Sequence, residues 1–342
     1  MCYNKVKQHI DSIILKGKCK MRKMIIVALS MGSIITMIIS AYYIINMYSD
    51  HSILYLDPDE TDYNKYRIVL ISDQLGSASW NELVHGAKFI AENNNTDLNI
   101  WGTYRTNQSE IIKQIEIAIA SKVDGILVQG INHPDFIEVV NQASIKGIPV
   151  ITIASDAPSS LRRSYVGVDH YQEGVKIAEY IQKTIESPVN VCFLAGEDFI
   201  NLQEMRQRGV MDTLNTNEEI KIANPNVFND TLKSAFQESI SLLNENPNCK
   251  HIVALNANGA SQIVKTIKTR SRIENYKIYA FDDNSEIKEL LKDGVIQATI
   301  EHHPKEIGVK SMVMMLKWLE GREIPLEKYY YTPSKVITET DL

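Results

Sequence analysis

Polar and aromatic side chains follow several strand-like apolar runs of this sequence, at the points where the runs end. The set is Asp73, Ser77, Ser79 and Trp80 after the run 67–72, Asp156 after 148–154, Asn256 at the end of 251–256 and Asp282 at the end of 277–282. Carboxylates and amides form paired hydrogen bonds to neighbouring hydroxyls, and an aromatic face stacks on the C–H face of a sugar ring. The combination meets the needs of a site for a polyhydroxylated ligand.

The same residue types also have structural roles, and the sequence leaves some of them open. Trp80 is either a stacking platform or a core residue under a helix at 80–91. Asp73 could cap that helix, Asp156 could be a turn residue before Pro158, and Asp283 is interpreted as a helix cap.

Motifs for covalent, metal or cofactor chemistry do not occur in the sequence. There is no nucleophile elbow, P-loop, HExxH or glycine-rich dinucleotide loop. Asp73 and Asp282 could face each other as a hydrolase pair would, and His302 and His303 lack metal-ligand spacing to other ligands. We therefore predict a binding protein that is not an enzyme and has no cofactor and no metal.

Strand-like and helix-like segments alternate from residue 66 onwards. The apolar runs lie at 67–72, 98–102, 124–130, 148–154, 189–195, 251–256, 277–282 and 295–300, and amphipathic helical patterns lie at 109–122, 134–147, 171–185, 201–214, 231–245 and 304–321. Continuous apolar strands between helices are typical of parallel sheets covered on both faces. So many units predict an α/β fold of two doubly wound, Rossmann-like lobes, in which ligands bind beyond the carboxyl ends of the strands.

An uncharged apolar run at 24–45 predicts a transmembrane anchor, because a helix of that length spans roughly 33 Å. Basic residues precede it and acidic residues follow it, so the tail 1–23 is expected in the cytoplasm and everything after the linker 46–65 outside the cell. A cleaved signal peptide is the alternative.

The net charge and the cysteines of the chain also bear on its ligand and its fold. The net charge of -6 gives no basic face for nucleic acid. No CxxC pair occurs among the four cysteines. Cys192, inside an apolar run, is interpreted as a buried free thiol, and a disulfide with Cys249 is the alternative.

A series of motifs spread over residues 66–338 resembles the ribose/xylose-type periplasmic binding proteins, which share their core with the lac-repressor family. The motifs are RIVLISDQLGSASWNELVHGAK, VDGILVQG, GIPVITIASDAP, SYVGVDHYQEG, EMRQRG, VALNANGA, IYAFDDNSE and DGVIQATIEHHPKEIG, in that order. No single motif is diagnostic, but their order is specific.

The resemblance implies two lobes that close on a monosaccharide about a three-segment hinge. The crossings are expected near Val168 and Asp169, near His302 and His303, and at residues 330–332. The N-terminal lobe would comprise 66–168 plus 303–330, and the C-terminal lobe 169–302 plus 331–342.

The resemblance also implies sugar contacts by particular residues. One group is the loop with Asp73, Ser77, Ser79 and Trp80, in which Trp80 would be the stacking platform. Arg206 corresponds to the family's sugar-binding arginine, Asn256 to a carboxamide and Asp282 to a carboxylate at a strand end, while Asp230 falls where a further contact is expected. His302 occupies a hinge position where relatives often place Gln, and a plain linker histidine is the alternative.

One departure concerns the loop after the run 148–154. Many relatives carry an Asp-Arg pair at the positions of Ala154 and Ser155, so the identity of the sugar stays open, and Asp156 could substitute.

Two functions fit these features. The first is a sugar sensor that signals to a membrane partner, a two-component sensor histidine kinase, as membrane-anchored xylose-type proteins do. The second is the substrate-binding component of an ABC importer, with a permease as partner. A repressor-like regulator is excluded, since the sequence has no helix-turn-helix and its N-terminal part is the predicted membrane span.

Overall fold

The computed structural model describes residues 36–37, 39–42, 66–72, 74–105, 107–185, 188–196, 200–223, 225–229, 231–270 and 273–342. The chain divides into two compact units, Met1–Asp62 and Tyr63–Leu342. In the first unit, residues 36–37 and 39–42 are helical and exposed. Within the ranges described, no helix is both long and apolar enough to cross a membrane. The predicted tail 1–23, most of the anchor 24–45 and the linker 46–65 lie outside these ranges.

Strands and helices alternate through the second unit, as the apolar runs predict. The strands are β1 Tyr66–Ser72, β2 Thr96–Gly102, β3 Gly125–Gln129, β4 Val150–Ile153, β5 Ser164–Gly167, β6 Val189–Gly196, β7 Ile220–Ile222, β8 Asn226–Phe228, β9 His251–Ala254, β10 Lys277–Tyr279, β11 Thr299–Glu301, β12 Tyr329–Tyr331 and β13 Lys335–Ile337. The helices are α1 Ala78–Glu92, α2 Gln108–Ala120, α3 Pro134–Ile145, α4 His170–Thr184, α5 Ile200–Leu214, α6 Leu232–Glu245, α7 Ala257–Arg270, α8 Ser285–Lys292 and α9 Pro304–Leu319.

The first sheet is parallel, with the strand order β12-β5-β4-β3-β1-β2. Successive residues of β1 point to opposite faces, so Ile68 and Leu70 pack with α1 and α9, while Val69 and Ile71 pack with α2 and α3. Both faces are therefore covered, which explains why the inner strands β1, β3 and β4 are buried over most of their length.

The second sheet is also parallel. Its order is β10-β9-β6-β7, with β8 pairing with β6 beyond β7. Helices α4 and α5 cover one face, and α6, α7 and α8 cover the other. The structure confirms the predicted α/β class with parallel sheets.

The chain passes between the two sheets at three places. It leaves the first sheet between β5 and α4, returns between β11 and α9, and leaves again between β12 and β13. Strands β11 and β13 form a separate antiparallel pair.

Two structural interpretations from the sequence are wrong. Cys192 and Cys249 form a disulfide bond, because β6 and β9 are neighbours and bring the two side chains together; Cys192 is therefore no free thiol. Helix α8 is capped by Asn284, whose side chain accepts from the Ile287 N–H, and not by Asp283.

Candidate functional site

Three of the predicted site residues meet at the carboxyl ends of the strands of the second sheet. Arg206 lies in α5, which follows β6; Asn256 lies between β9 and α7, and Asp282 follows β10. After β6 the chain continues to one side of this sheet, and after β9 it continues to the other side. The loops that follow these two neighbouring strands therefore lead in opposite directions. Such a switch point is where doubly wound sheets bind ligands.

Arg206 is buried and held at several points. Its Nε donates to Glu173 Oε2 at 3.1 Å, and its Nη1 donates to the Leu255 carbonyl at 3.0 Å. Nη1 also lies 3.5 Å from Asp282 Oδ1, and the guanidinium stands 5.0 Å from the centre of the Phe281 ring. The plane of the guanidinium is therefore fixed.

Asp282 is the more accessible partner. Its side chain is 33% exposed, while that of Arg206 is 4% exposed. Asp282 Oδ2 accepts from the Ala257 N–H at 2.6 Å, and Asn256 Oδ1 accepts from the Gly259 N–H at 2.8 Å. Both residues thus fix the first turn of α7, and Asp282 still presents a carboxylate to solvent.

His302 lies where the chain passes from β11 to α9. Its Nε2 is 2.7 Å from Glu173 Oε1, and its Nδ1 is 3.6 Å from Asp283 Oδ1. Burial would lower the pKa of His302, but the charge of Glu173 and hydrogen bonds to Asp283 and Glu173 raise it to about 9. His302 is therefore a cation at neutral pH.

Glu173 is the carboxylate that these contacts share. Its side chain is 0% exposed, and its Oε2 also lies 3.0 Å from His170 Nδ1. Burial would raise its pKa, but the charges of His302 and Arg206 and hydrogen bonds from His170 and His302 hold that pKa well below its usual range. The sequence did not single out Glu173 or His170. The available signal was an acidic residue on the apolar face of α4, beside Ile177 and Ile181.

Asp156 is engaged within the first sheet. Its two oxygens pair with the guanidinium of Arg162, and Oδ1 also accepts from Thr152 at 2.7 Å and from the Ala157 N–H at 2.8 Å. Arg162 also donates to the Lys328 carbonyl at 3.1 Å. These hydrogen bonds connect β4, β5 and the segment before β12. A ligand contact by Asp156 stays a prediction.

The loop after β1 is described in part. Ser77 caps α1 by accepting from the Trp80 N–H, and Ser79 is exposed in the first turn. Trp80 is 7% exposed and packs in the core with Leu83, Ile307 and others, which is the structural alternative that the sequence left open. Sugar stacking by Trp80 stays a prediction that this burial does not favour.

Two predicted contacts, Asp73 and Asp230, lie outside the described residues. In the part of the chain that is described, no group of three or more His, Cys, Asp or Glu side chains could hold a metal ion. A cavity of about 460 Å³ on the second sheet contains none of the predicted site residues; its lining is Ile222, Ala223, Pro225, Asn226, Glu245 and Asn246.

The cluster of Arg206, Asn256 and Asp282 offers a fixed cation beside an accessible carboxylate. A guanidinium donates to hydroxyl oxygens, and a carboxylate accepts from hydroxyl hydrogens. Adjacent hydroxyl groups of a small ligand present both kinds of atom. The arrangement therefore suits binding of a polyhydroxylated molecule.

Comparison with known proteins gives a consistent family. A model described as "Periplasmic binding protein domain" matches residues 68–323. The D-ribose/D-allose-binding protein of Pseudomonas aeruginosa is 24% identical over 68% of this chain and 75% of its own. The ribose import binding protein RbsB of Bacillus subtilis is 21% identical over 69% and 75%.

Solved structures resemble the chain over most of its length. GanP, a glucose-galactose binding protein from Geobacillus stearothermophilus, has a TM-score of 0.77 at 29% identity and covers 81% of this chain and 98% of its own. A structure described as the XylFII-LytSN complex has a TM-score of 0.72 at 25% identity, with 81% and 99% covered. The two curated relatives and GanP are named as binding proteins, which agrees with the prediction that the chain is not an enzyme.

Proposed function

This chain belongs to the periplasmic binding protein domain family, and we propose that it is a membrane-tethered, extracytoplasmic monosaccharide-binding protein that senses its sugar. The ligand is a pentose such as xylose or ribose, or a hexose. Binding between the two lobes closes them, and the closed form signals to a membrane partner, a two-component sensor histidine kinase.

The observation that carries the sugar-binding part is the fixed Arg206 beside the accessible Asp282 at the strand ends of the second sheet. The relatives named for ribose, allose, glucose and galactose support a monosaccharide over other small ligands.

Calorimetry tests the sugar-binding part directly. The purified full-length protein, kept where needed in a detergent without a sugar headgroup, is titrated with xylose, ribose, arabinose, allose, glucose and galactose. A ligand that binds only the folded state also stabilises it by about 2.7 kcal/mol at 100 times its Kd, so thermal shifts give a second readout. Absence of binding to the whole panel would refute the proposal.

The membrane part rests on the apolar run 24–45 and the charge difference across it. Protease treatment of intact cells tests it. We expect digestion of the part after residue 46, while an epitope placed before Met1 stays protected. A mature protein that begins near Ala41 and is free in the medium would contradict it.

The sensing part is supported by the similarity to XylFII, which occurs in a complex with LytSN. The second candidate is the binding component of a sugar importer, supported by the relatives named as ribose import binding proteins. Gene deletion in cells supplied with the bound sugar separates the two. Loss of the transcriptional response with uptake genes supplied from a constant promoter supports sensing, whereas reduced uptake with a normal response supports import.

A further inference from the structure

Glu173 lies in the first turn of α4, directly after one of the chain's passages between the two sheets. Its side chain is fully buried. A buried carboxylate is costly unless charged or hydrogen-bonding partners surround it.

The partners of Glu173 come from three segments of the chain. His170 belongs to the same helix, Arg206 to α5, and His302 to the passage between β11 and α9. Oε2 accepts from His170 and Arg206, and Oε1 from His302. One carboxylate thus joins a passage segment to the arginine of the candidate site.

The bond to Glu173 determines which part of Arg206 can meet a ligand. Nε is taken by Glu173 and Nη1 by the Leu255 carbonyl and Asp282. Hydrogen bonds from Nη2 to described residues are not found. By holding Nε, Glu173 therefore fixes which edge of the guanidinium is left for other partners.

Glu173 also separates two cations. Arg206 and His302 both contact it from opposite oxygens, and the charge of Arg206 acts against protonation of His302. The other charged group facing His302 is Asp283, which pairs with Lys288 at 3.0 Å. Without the Glu173 charge, these two cations would repel each other across a buried site.

We infer that Glu173 is a positioning residue for sugar binding, which aims the guanidinium of Arg206 and couples it to the passage segment at His302. This inference rests on the proposed function and adds to it. Glu173 contacts no ligand itself; it acts through Arg206 and His302.

The test compares Glu173→Gln with Glu179→Gln in the full chain. Glu179 lies on the same helix but is exposed, so it controls for the loss of one negative charge. A hydrogen bond to a charged group contributes enough that Glu173→Gln should weaken sugar binding by about ten- to a hundredfold. In a protein that already carries Arg206→Lys, Glu173→Gln should weaken sugar binding by less than about threefold. The two substitutions remove the same Glu173–Arg206 interaction, so their effects are not additive. Wild-type affinity in Glu173→Gln would overturn the inference.

Two spectroscopic readouts need no sugar and respond to positioning, not to folding alone. In NMR titrations, the midpoint of His302 should fall in Glu173→Gln and stay unchanged in Glu179→Gln. The Nε–H signal of Arg206 should exchange slowly with water in the wild type and rapidly in Glu173→Gln. Unchanged signals would overturn the inference.

The remaining outcomes are also decisive. If the wild type binds no sugar, the proposed function fails, and the two NMR readouts still decide whether Glu173 positions Arg206 and His302. If Glu173→Gln does not fold, Glu173→Asp takes its place. The Asp side chain is shorter than that of Glu by one methylene, so its carboxylate cannot keep both His302 and Arg206 at bonding distance. Several-fold weaker binding supports the inference, and wild-type binding overturns it.

Discussion

At the scale of single residues, the two carboxylate oxygens of Asp282 have different partners and therefore different roles. Oδ2 accepts from the Ala257 N–H and fixes the start of α7, whereas Oδ1 lies near Arg206, and the side chain as a whole is partly exposed. A substitution therefore needs to remove the ligand-facing charge while keeping the bond to Ala257.

We expect Asp282→Asn to keep the fold and to weaken sugar binding by at least tenfold. The amide oxygen can still accept from Ala257, but the second carboxylate oxygen becomes a donor, which leaves a sugar hydroxyl unpaired at a cost of about 1–3 kcal/mol. Calorimetry measures the affinity, and Glu289→Gln, an exposed position on α8, is the control. Equal affinity in both variants would refute the assignment.

His302 gives the stability of the protein a pH dependence in the alkaline range. Its pKa is about 9 in the folded chain and 6.5 ordinarily. Because the folded value is the higher one, the stabilisation is complete below about pH 6.5 and is lost as the pH rises to about 9. The free energy of unfolding should fall over this range by on the order of 2–3 kcal/mol.

Urea unfolding at pH 6, 7.5 and 9 checks this dependence. His302→Gln should flatten the fall, whereas His85→Gln, at an exposed position on α1, should keep it. An equally steep fall in His302→Gln would show that other groups cause it.

Residue types at strand ends pointed to Asn256 and Asp282, because parallel strands end at one edge of a sheet, whereas Arg206, which lies in a helix, was predicted only from the family resemblance. Glu173 could not be predicted in the same way. Its partners Arg206 and His302 are distant in sequence, and only folding brings them to one carboxylate. The pairing of Asp156 with Arg162 was also not predicted, although the two residues are only six positions apart in the sequence.

At the scale of elements, each sheet carries a pair of helices in which glycines allow close contact. A Cβ at Gly174 in α4 would lie 2.1 Å from the Arg206 carbonyl oxygen, and one at Gly209 in α5 would lie 2.1 Å from that of Tyr171. On the first sheet, Gly86 in α1 and Gly308 in α9 make the equivalent contacts. The helix pair α4 and α5 is also the one that carries Glu173 and Arg206.

We expect Gly174→Ala to lower stability by about 1–3 kcal/mol and also to weaken sugar binding, because the added methyl must push α5, and with it Arg206, away from α4. Gly308→Ala is the matched control, since its methyl would lie 1.9 Å from the Leu83 carbonyl oxygen on the first sheet, away from Arg206. It should destabilise by a similar amount with a smaller effect on affinity. Equal losses of affinity would show that α5 does not transmit the change.

Long apolar runs predicted most of the elements. Strands β5, β7, β8, β12 and β13 were not predicted; they have three or four residues each, and no long apolar run marks them as the runs at 148–154 and 251–256 mark the equally short β4 and β9. Helix α7 was missed although its apolar face is buried, because ANGASQ at its start reads as a loop. The disulfide was not preferred because it depends on β6 and β9 being neighbours, which sheet order alone decides.

At the scale of the whole molecule, the passages between the sheets are where relative motion of the lobes would have to occur. They contain Val168 and Asp169, then His302 and His303, then residues 332–334. Asp169 caps α4, and His302 is tied to Glu173 of that helix. Two of the three passages are thus connected through the first turn of α4.

We therefore expect that sugar changes the distance between the two lobes. The size of the change should depend on the contacts that the sugar makes with each lobe. A ligand shifts such an equilibrium only by its differential affinity for the closed state. Fluorophores incorporated as non-canonical residues at Lys113 in α2 and Lys268 in α7, both exposed, should show altered energy transfer when sugar is added. A pair at Lys88 and Lys113, within the first lobe, should show none.

The change should require more sugar in Asp282→Asn, by the same factor as its loss of affinity, because closure and binding are linked. It should also appear in full once that higher concentration is reached. If saturating sugar leaves the distance between Lys113 and Lys268 unaltered, the lobes do not close on it. Signalling through closure would then be excluded even if the sugar binds.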